Sequence, residues 1–293
     1  MSPQLSISSQ TLRYGIGCFE TIKVFPPNKA AFLTEHIERL IHGAKTCGIH
    51  PPSHVIKDGQ SKSINLFPKD FALLNNFANE ENLDPDSEAH LLTGLAGDFL
   101  SRVLDFLADK HYESPQIMRL ILTKETGLEI SIESYEEKNI SLSLRVCNKW
   151  LIESTSPLNS FKSFNYLSKY LSCKESQTMG FDDSLLVNEK GHLVETSKAN
   201  LFFMKYDGSW ITPIMSSGCL PGVIREVLIP YLSVEEVEIH PKALSEFKLV
   251  IATNSLIEVQ PVSQIDNFNF ETFGLAEINK IKQYLQSVCF REN

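Results

Sequence analysis

At 293 residues, 42% hydrophobic and 22% charged, with neither Gly nor Pro in excess, the chain has an ordinary globular composition and length enough for one large domain or two of usual size. A formal net charge of −9 argues against a phosphate-backbone binder and against docking on anionic lipid, so neither nucleic acid nor a membrane is expected as a partner. Six cysteines without a Cys-x-x-Cys spacing, a Met1-Ser2-Pro3-Gln4 start unlike a signal peptide, and no apolar stretch near the roughly 20 residues of a spanning helix point to a reducing, cytoplasmic setting.

In chain order, Gly15 and Gly17 precede a strand of period two, in which Phe19, Thr21, Lys23 and Phe25 oppose Glu20, Ile22 and Val24. The two glycines suit a tight backbone or the close approach of a ligand. Pro26-Pro27-Asn28 is a turn. A helix follows, with Thr34 as N-cap, Ile37, Leu40, Ile41 and Ala44 as its buried stripe, and Gly48 at the C′ position. Arg39 lies off that stripe, as a solvated surface arginine would. Residues 50–96 read as a polar insertion, whose His50, His54, Asp84, Asp86 and His90 lack a metal-ligand spacing. Leu100, Val103, Leu104 and Leu107 restore a helix, and 116–123 and 140–146 are strands. The acidic stretch 133–138 between those strands is the candidate linker, dividing the chain into lobes at 1–137 and 138–293.

Phe161-Lys162-Ser163-Phe164-Asn165 comes next, set before a run with helical spacing: Tyr166, Leu167, Tyr170, Leu171 and Lys174. Asp183 to Thr196 reads as a hairpin ending near Glu195, and Asn200 to Pro213 continues it as a meander. Pro221-Gly222-Val223-Ile224-Arg225 opens another helix. Leu249 to Thr253 is a buried strand entering a turn at Asn254-Ser255, and a helix with Leu275, Ile278, Ile281 and Leu285 on one face closes the chain.

No nucleophile elbow, Walker loop or dinucleotide fingerprint is present. The chemistry left open is that of pyridoxal phosphate. A Schiff-base lysine needs apolar neighbours that favour its neutral amine, which Phe161, Phe164 and Tyr166 could supply to Lys162. The cofactor's pyridine nitrogen needs an anionic partner, for which Glu195 is the candidate. Its phosphate needs backbone N–H groups at a helix start, offered by Gly222, Val223 and Ile224, and a cation and hydroxyl, for which Arg39 and Ser255 are available. Taken singly, a surface lysine and an edge-strand glutamate explain Lys162 and Glu195 better than the cofactor roles do. A non-catalytic α/β protein binding a phosphorylated ligand or a partner chain is the alternative of another class.

The ordered set Tyr14-Gly-Ile-Gly-Cys-Phe-Glu-Thr21, His36-Ile-Glu-Arg-Leu40, Lys162-Ser-Phe-Asn-Tyr-Leu167, Glu195 with Asn200, Gly218-Cys-Leu-Pro-Gly-Val-Ile-Arg225 and Thr253-Asn-Ser-Leu256 resembles the class IV (fold type IV) pyridoxal phosphate enzymes. That family includes branched-chain and D-amino acid aminotransferases and 4-amino-4-deoxychorismate lyase. The resemblance implies a two-lobed α/β fold, with a small N-terminal α/β lobe, a larger C-terminal mixed β/α lobe and the cofactor between them, in a homodimer. It further implies Lys162 as Schiff base and proton shuttle and Glu195 as partner of the pyridine nitrogen. Arg39, the backbone of Val223 and Ile224, and Ser255 match the phosphate site, and Tyr166 lies near the family's tyrosine beside the phenolic oxygen. Thr196 stands where the family usually has Gly, and Ile224 where Thr is common, so only the backbone of Ile224 can serve a phosphate. The Lys124-Glu-Thr-Gly-Leu-Glu segment lacks both the Arg-x-His trap of the D-amino acid enzymes and the Tyr-Ile-Arg-Pro pattern of the branched-chain ones. Gly17-Cys-Phe19 and Thr253 to Val262 look most similar to the aminodeoxychorismate lyases. The expected substrate is accordingly a small amino compound, 4-amino-4-deoxychorismate, with a branched-chain or D-amino acid as the alternative.

Overall fold

The computed structural model describes residues 9–49, 99–137, 141–272 and 275–290, residue 102 apart. The Met1-Ser2-Pro3-Gln4 start and the 50–96 insertion with its histidines and aspartates therefore fall outside the described residues. Two compact units result: residues 1–136 together with Phe161–Phe164, and residues 137–160 together with 165–293.

The first unit is built on an antiparallel sheet of β1 (Cys18–Phe25), β2 (Lys29–Ala30), β3 (Gln116–Thr123) and β4 (Gly127–Ser134) in the order β2-β1-β3-β4. Period-two patterning puts Ile22, Val24, Met118, Leu120, Leu122, Leu128 and Ile130 on one buried face. Two helices share that core: α2 (Leu33–Thr46) through Ile37, Leu40 and Ile41, and α3 (99–108) through Phe99, Val103 and Leu107. A short helix, α1 (Gln10–Tyr14), precedes them and was not foreseen from sequence. It ends on Gly15 at φ 67°, which is the left-handed conformation glycine adopts most readily. Gly17 has a different task, since a Cβ there would lie 2.5 Å from the Phe164 ring. Thr34 is not the N-cap of α2: Phe32 enters the helix at φ 51° with its ring buried, and no side chain caps that end. Gly48 does take the left-handed C′ position, with its N–H on the Lys45 carbonyl at 3.0 Å.

The second unit carries a mixed sheet in the order β10-β9-β8-β11-β12-β5-β6-β7, with β13 (Phe268–Asn269) paired to β12. Its strands are β5 (Leu142–Ile152), β6 (Asp183–Asn188), β7 (Leu193–Thr196), β8 (Asn200–Lys205), β9 (Trp210–Pro213), β10 (Glu235–Val237), β11 (Phe247–Asn254) and β12 (Glu258–Ile265). The hairpin and meander expected between 183 and 213 are β6 to β9. Leu144, Leu185, Val187, Leu201, Phe203, Val250 and Val262 fill the core, and the Phe203 ring lies tilted 4.9 Å from that of Phe247. Of the helices α4 (Leu167–Thr178), α5 (Val223–Leu232) and α6 (Leu275–Val288), the last buries Ile278, Ile281 and Leu285 as its spacing predicts. Helix α4 forms where expected, but its apolar positions are not its buried face. Leu167 is 68% and Tyr170 57% exposed, while Ser172 and Ser176 face β5 and β6. The small serines let the helix approach closely, and the Ser172 and Ser184 hydroxyls bond across the gap at 2.8 Å.

Candidate active site

Lys162 belongs to the first unit, although it follows β5 in sequence and was expected with the 138–293 lobe. Backbone pairing holds it there. The Lys162 carbonyl accepts from Phe19 N at 2.9 Å, Ser163 bridges Cys18, and Phe164 N donates to the Gly17 carbonyl at 3.0 Å. Phe161 is buried in that unit's core, and Phe164 lies 6.3 Å from the Phe19 ring. The Lys162 Nζ stands 5.1 Å above the same Phe19 ring. Strand β1 thus fixes the lysine's backbone and surrounds it with aromatic side chains.

Arg39, from α2 in the same unit, is not a solvated arginine. Its Nε and Nη2 donate to the two oxygens of buried Glu20, each at 2.7 Å. Glu20 Oε2 also meets His36 Nδ1 at 2.7 Å. Burial alone would raise the Glu20 pKa, but the Arg39 charge and fork, followed by His36, hold it down to about 2. His36 is wholly buried and is pushed below its usual range, because desolvation outweighs the attraction of Glu20. It is therefore neutral, and its Nδ1–H is the donor to Glu20.

The remaining candidates lie in the second unit. Glu195, on β7, is an edge-strand residue by topology but is buried rather than solvated. Three donors converge on it: Lys169 Nζ on Oε1 at 2.7 Å, and Asn200 Nδ2 at 3.1 Å and Leu220 N at 3.2 Å on Oε2. Burial would drive Lys169 towards its neutral form, but Glu195 reverses this and holds the ammonium protonated, above the ordinary lysine range. Tyr166, at the N-terminal end of α4, lays its ring 4.8 Å from the same ammonium. The Thr196 Oγ1 accepts from Lys198 N and Ala199 N and so holds the turn between β7 and β8.

Helix α5 starts at Val223 behind Gly222, with no side chain capping its first turn, and Val223 and Ile224 are buried. A Cβ on Gly222 would collide with the Asn200 side-chain oxygen. Asn200 is paired with Thr253 across β8 and β11, so the two side chains share a face of the sheet. Among the described residues the buried Thr253 hydroxyl has no hydrogen-bond partner. Ser255 sits two residues on, in a turn where Asn254 Oδ1 accepts from Leu256 N and Ile257 N. Lys169, Asn200 and Thr253 had been given no role from sequence. Asn200 stood in a recognised motif, whereas nothing in the pattern around Lys169 marked it.

These residues fit pyridoxal phosphate. A carboxylate has about four acceptor positions; three on Glu195 are occupied, which leaves one for a pyridine N–H. An uncapped helix start beside an orphaned hydroxyl offers donors of the kind a phosphate takes. The cysteines do not compete as nucleophiles. Burial pushes the Cys18, Cys173 and Cys219 thiols up, Cys219 to about 12.

Comparison with known proteins agrees. Over 97% of its length the chain is 26% identical to a Rickettsia typhi protein named "Probable branched-chain-amino-acid aminotransferase", of which it covers 91%. It superposes on a Legionella pneumophila structure named "Putative 4-amino-4-deoxychorismate lyase" with a TM-score of 0.72 and 25% identity, covering 98% of this chain and 96% of that one. The branched-chain aminotransferase of Thermoproteus uzoniensis shares the fold, with a TM-score of 0.74 at 18% identity over 98% of this chain and 90% of that one. Residues 98–265, more than half of the chain, match the family model described as amino-transferase class IV. The chain belongs to the class IV aminotransferases and is a pyridoxal-phosphate-dependent enzyme.

Proposed function

We propose that this enzyme is a lyase that converts 4-amino-4-deoxychorismate to 4-aminobenzoate and pyruvate, with Lys162 as Schiff base and proton carrier. The observation that carries the choice is the turn after β3. It holds no arginine or histidine able to take an amino acid's carboxylate. Instead its Glu125 carboxylate is engaged by Ser9, Gln10 and Thr11 at the start of α1, with Ser9 Oγ at 2.9 Å and Gln10 N at 2.8 Å. The likeness to the Legionella protein supports the same reading. Family membership sets aside a non-catalytic ligand-binding role.

When bound, pyridoxal phosphate supplies an electron sink for the pair released as the substrate's amine-bearing carbon loses its proton. Lys169 cannot be the anchoring amine, since Glu195 holds it as an ammonium; Lys162 is assigned that part. Glu195 is assigned to the pyridine nitrogen and Tyr166 to the phenolic oxygen. Arg39, the N–H groups of Val223 and Ile224, and Ser255 are assigned to the phosphate, with Thr253 added. With the substrate in place, the Lys162 amine would take the proton from the amine-bearing carbon. It would return a proton to the enolpyruvyl group as its C–O bond breaks, giving pyruvate and an aromatic carbocycle.

Supplying aminodeoxychorismate and assaying 4-aminobenzoate tests this, with Lys162→Ala expected to lose both product and the visible absorption of the lysine-bound cofactor. No 4-aminobenzoate, together with keto acid formed from a branched-chain or D-amino acid and 2-oxoglutarate, would establish the second reading. That reading is favoured by the Rickettsia typhi relative. A cytoplasmic homodimer completes the proposal, because the exposed Leu167 and Tyr170 on α4 call for cover. A single-chain mass in light scattering would remove the dimer.

A further inference from the structure

Arg225, the third residue of α5, has no part in the roles assigned above. Its side chain is only 3% exposed, and its Nη2 donates to the Pro213 carbonyl at 3.0 Å and to the Glu236 carboxylate. Those partners lie on β9 and β10, so one guanidinium ties the first turn of α5 to two strands. Its Nε is buried without a hydrogen-bond partner among the described residues.

This is an unfavourable place for a cation. The start of a helix carries the positive end of its dipole, and acids rather than bases stabilise that turn. An unmet Nε–H adds its own desolvation cost. Glu236 offsets the charge only in part, because its side chain is 34% exposed and screened by water while that of Arg225 is not. The neighbouring segment registers the difference. Burial and then Glu195 push the Cys219 thiol up, and Arg225 opposes them more strongly than Glu236 adds to them. A buried arginine thus reinforces the positive end of a helix whose first turn has no side-chain cap. An anion bound at that end accounts for the arrangement.

We propose that Arg225 is a positioning residue for the cofactor's phosphate: it pins the first turn of α5 to β9 and β10 and sets a permanent buried charge there, so that the phosphate is held as its dianion. The inference rests on the assignment of the α5 start to that phosphate. Arg225 acts through the helix, since its hydrogen bonds go to Pro213 and Glu236. Its removal should therefore weaken the hold on the phosphate and leave the hold on the ring unchanged.

The test titrates pyridoxal phosphate, and pyridoxal without the phosphate, into cofactor-free protein and follows the absorption of the lysine-bound form. The wild type should prefer the phosphorylated compound. Arg225→Met should bind it about tenfold less tightly, the scale of a partly buried charge at a helix end, with pyridoxal affinity unchanged. Arg225→Lys, which keeps the charge, should restore most of the preference. An equal loss for both compounds would reduce Arg225 to a structural role and overturn the proposal. Should Arg225→Met fail to fold, the 31P resonance of the wild-type holoenzyme decides. It should hold its dianion position through about pH 6, where a free phosphate monoester takes up a proton, and a resonance that titrates there overturns the proposal. A wild type that binds both compounds equally sinks the assigned phosphate site itself, whereas a preference that survives Arg225→Met sinks only the role of Arg225.

Discussion

Asn200 Nδ2 donates to Glu195 Oε2 at 3.1 Å and to the Leu220 carbonyl at 3.0 Å, tying β7 and β8 to the segment that leads into α5. The Glu195 acceptor is buried and the Leu220 carbonyl partly so, and removing the amide leaves a buried carboxylate with fewer donors. Asn200→Ala should lower unfolding stability by about 1–3 kcal/mol. It should also speed cofactor loss on dialysis, followed by visible absorbance. An unchanged denaturant midpoint would show that the amide carries no net energy.

Gly222 is required by the same amide. Any Cβ there meets the Asn200 oxygen, so Gly222→Ala must rotate Asn200 away from Glu195 or shift the start of α5. The expected loss is about 1–3 kcal/mol. The decisive measurement is a double-mutant cycle with Asn200→Ala, in which the two losses should fall short of additivity because trimming Asn200 makes room. Additive losses would show that the clash lies elsewhere.

Gly43 does for Phe161 what Gly17 does for Phe164. A Cβ on Gly43 would stand 2.7 Å from the Phe161 ring and 3.2 Å from the Cys18 Cβ, against the strand pairing that fixes Lys162. Ala in mid-helix normally gains about 1 kcal/mol over Gly. Here overpacking of about 1–3 kcal/mol should outweigh it, and Gly43→Ala should unfold at lower denaturant. A stabilised variant would mean that Phe161 yields without cost.

Those glycines illustrate what was legible in the chain. The alternation of β1, the stripes of α2 and α6 and the hairpin from 183 to 196 were readable because one period matched one buried face. Helix α4 was readable as a helix but not in its facing, since serines rather than Leu167 or Tyr170 fill the gap against β5 and β6. The place of Lys162 in the first unit depends on pairing with β1, far away in sequence, and no local pattern reports such pairing. Glu20 and His36 looked like alternating strand and helix residues. Only the fold shows that they are buried together with Arg39.

That buried cluster sets the acid limb of stability. Glu20 is held at about 2, below its ordinary 4.5, so its contribution is fully present above pH 4.5 and fades as pH falls towards 2. At about 1.4 kcal/mol per pH unit this is roughly 3 kcal/mol. His36 acts in the same direction and earlier. Its pKa is lowered on folding, so stability begins to fall once pH drops below its ordinary 6.5 and the unfolded chain takes up the proton first. Urea midpoints measured from pH 7 to pH 3 should therefore decline in two stages. His36→Gln should flatten the upper stage. Glu20→Gln should flatten the lower one while costing about 3–5 kcal/mol at pH 7, because it takes away the buried negative partner of the Arg39 guanidinium. An acid limb unchanged in both variants would place the titrating groups outside this cluster.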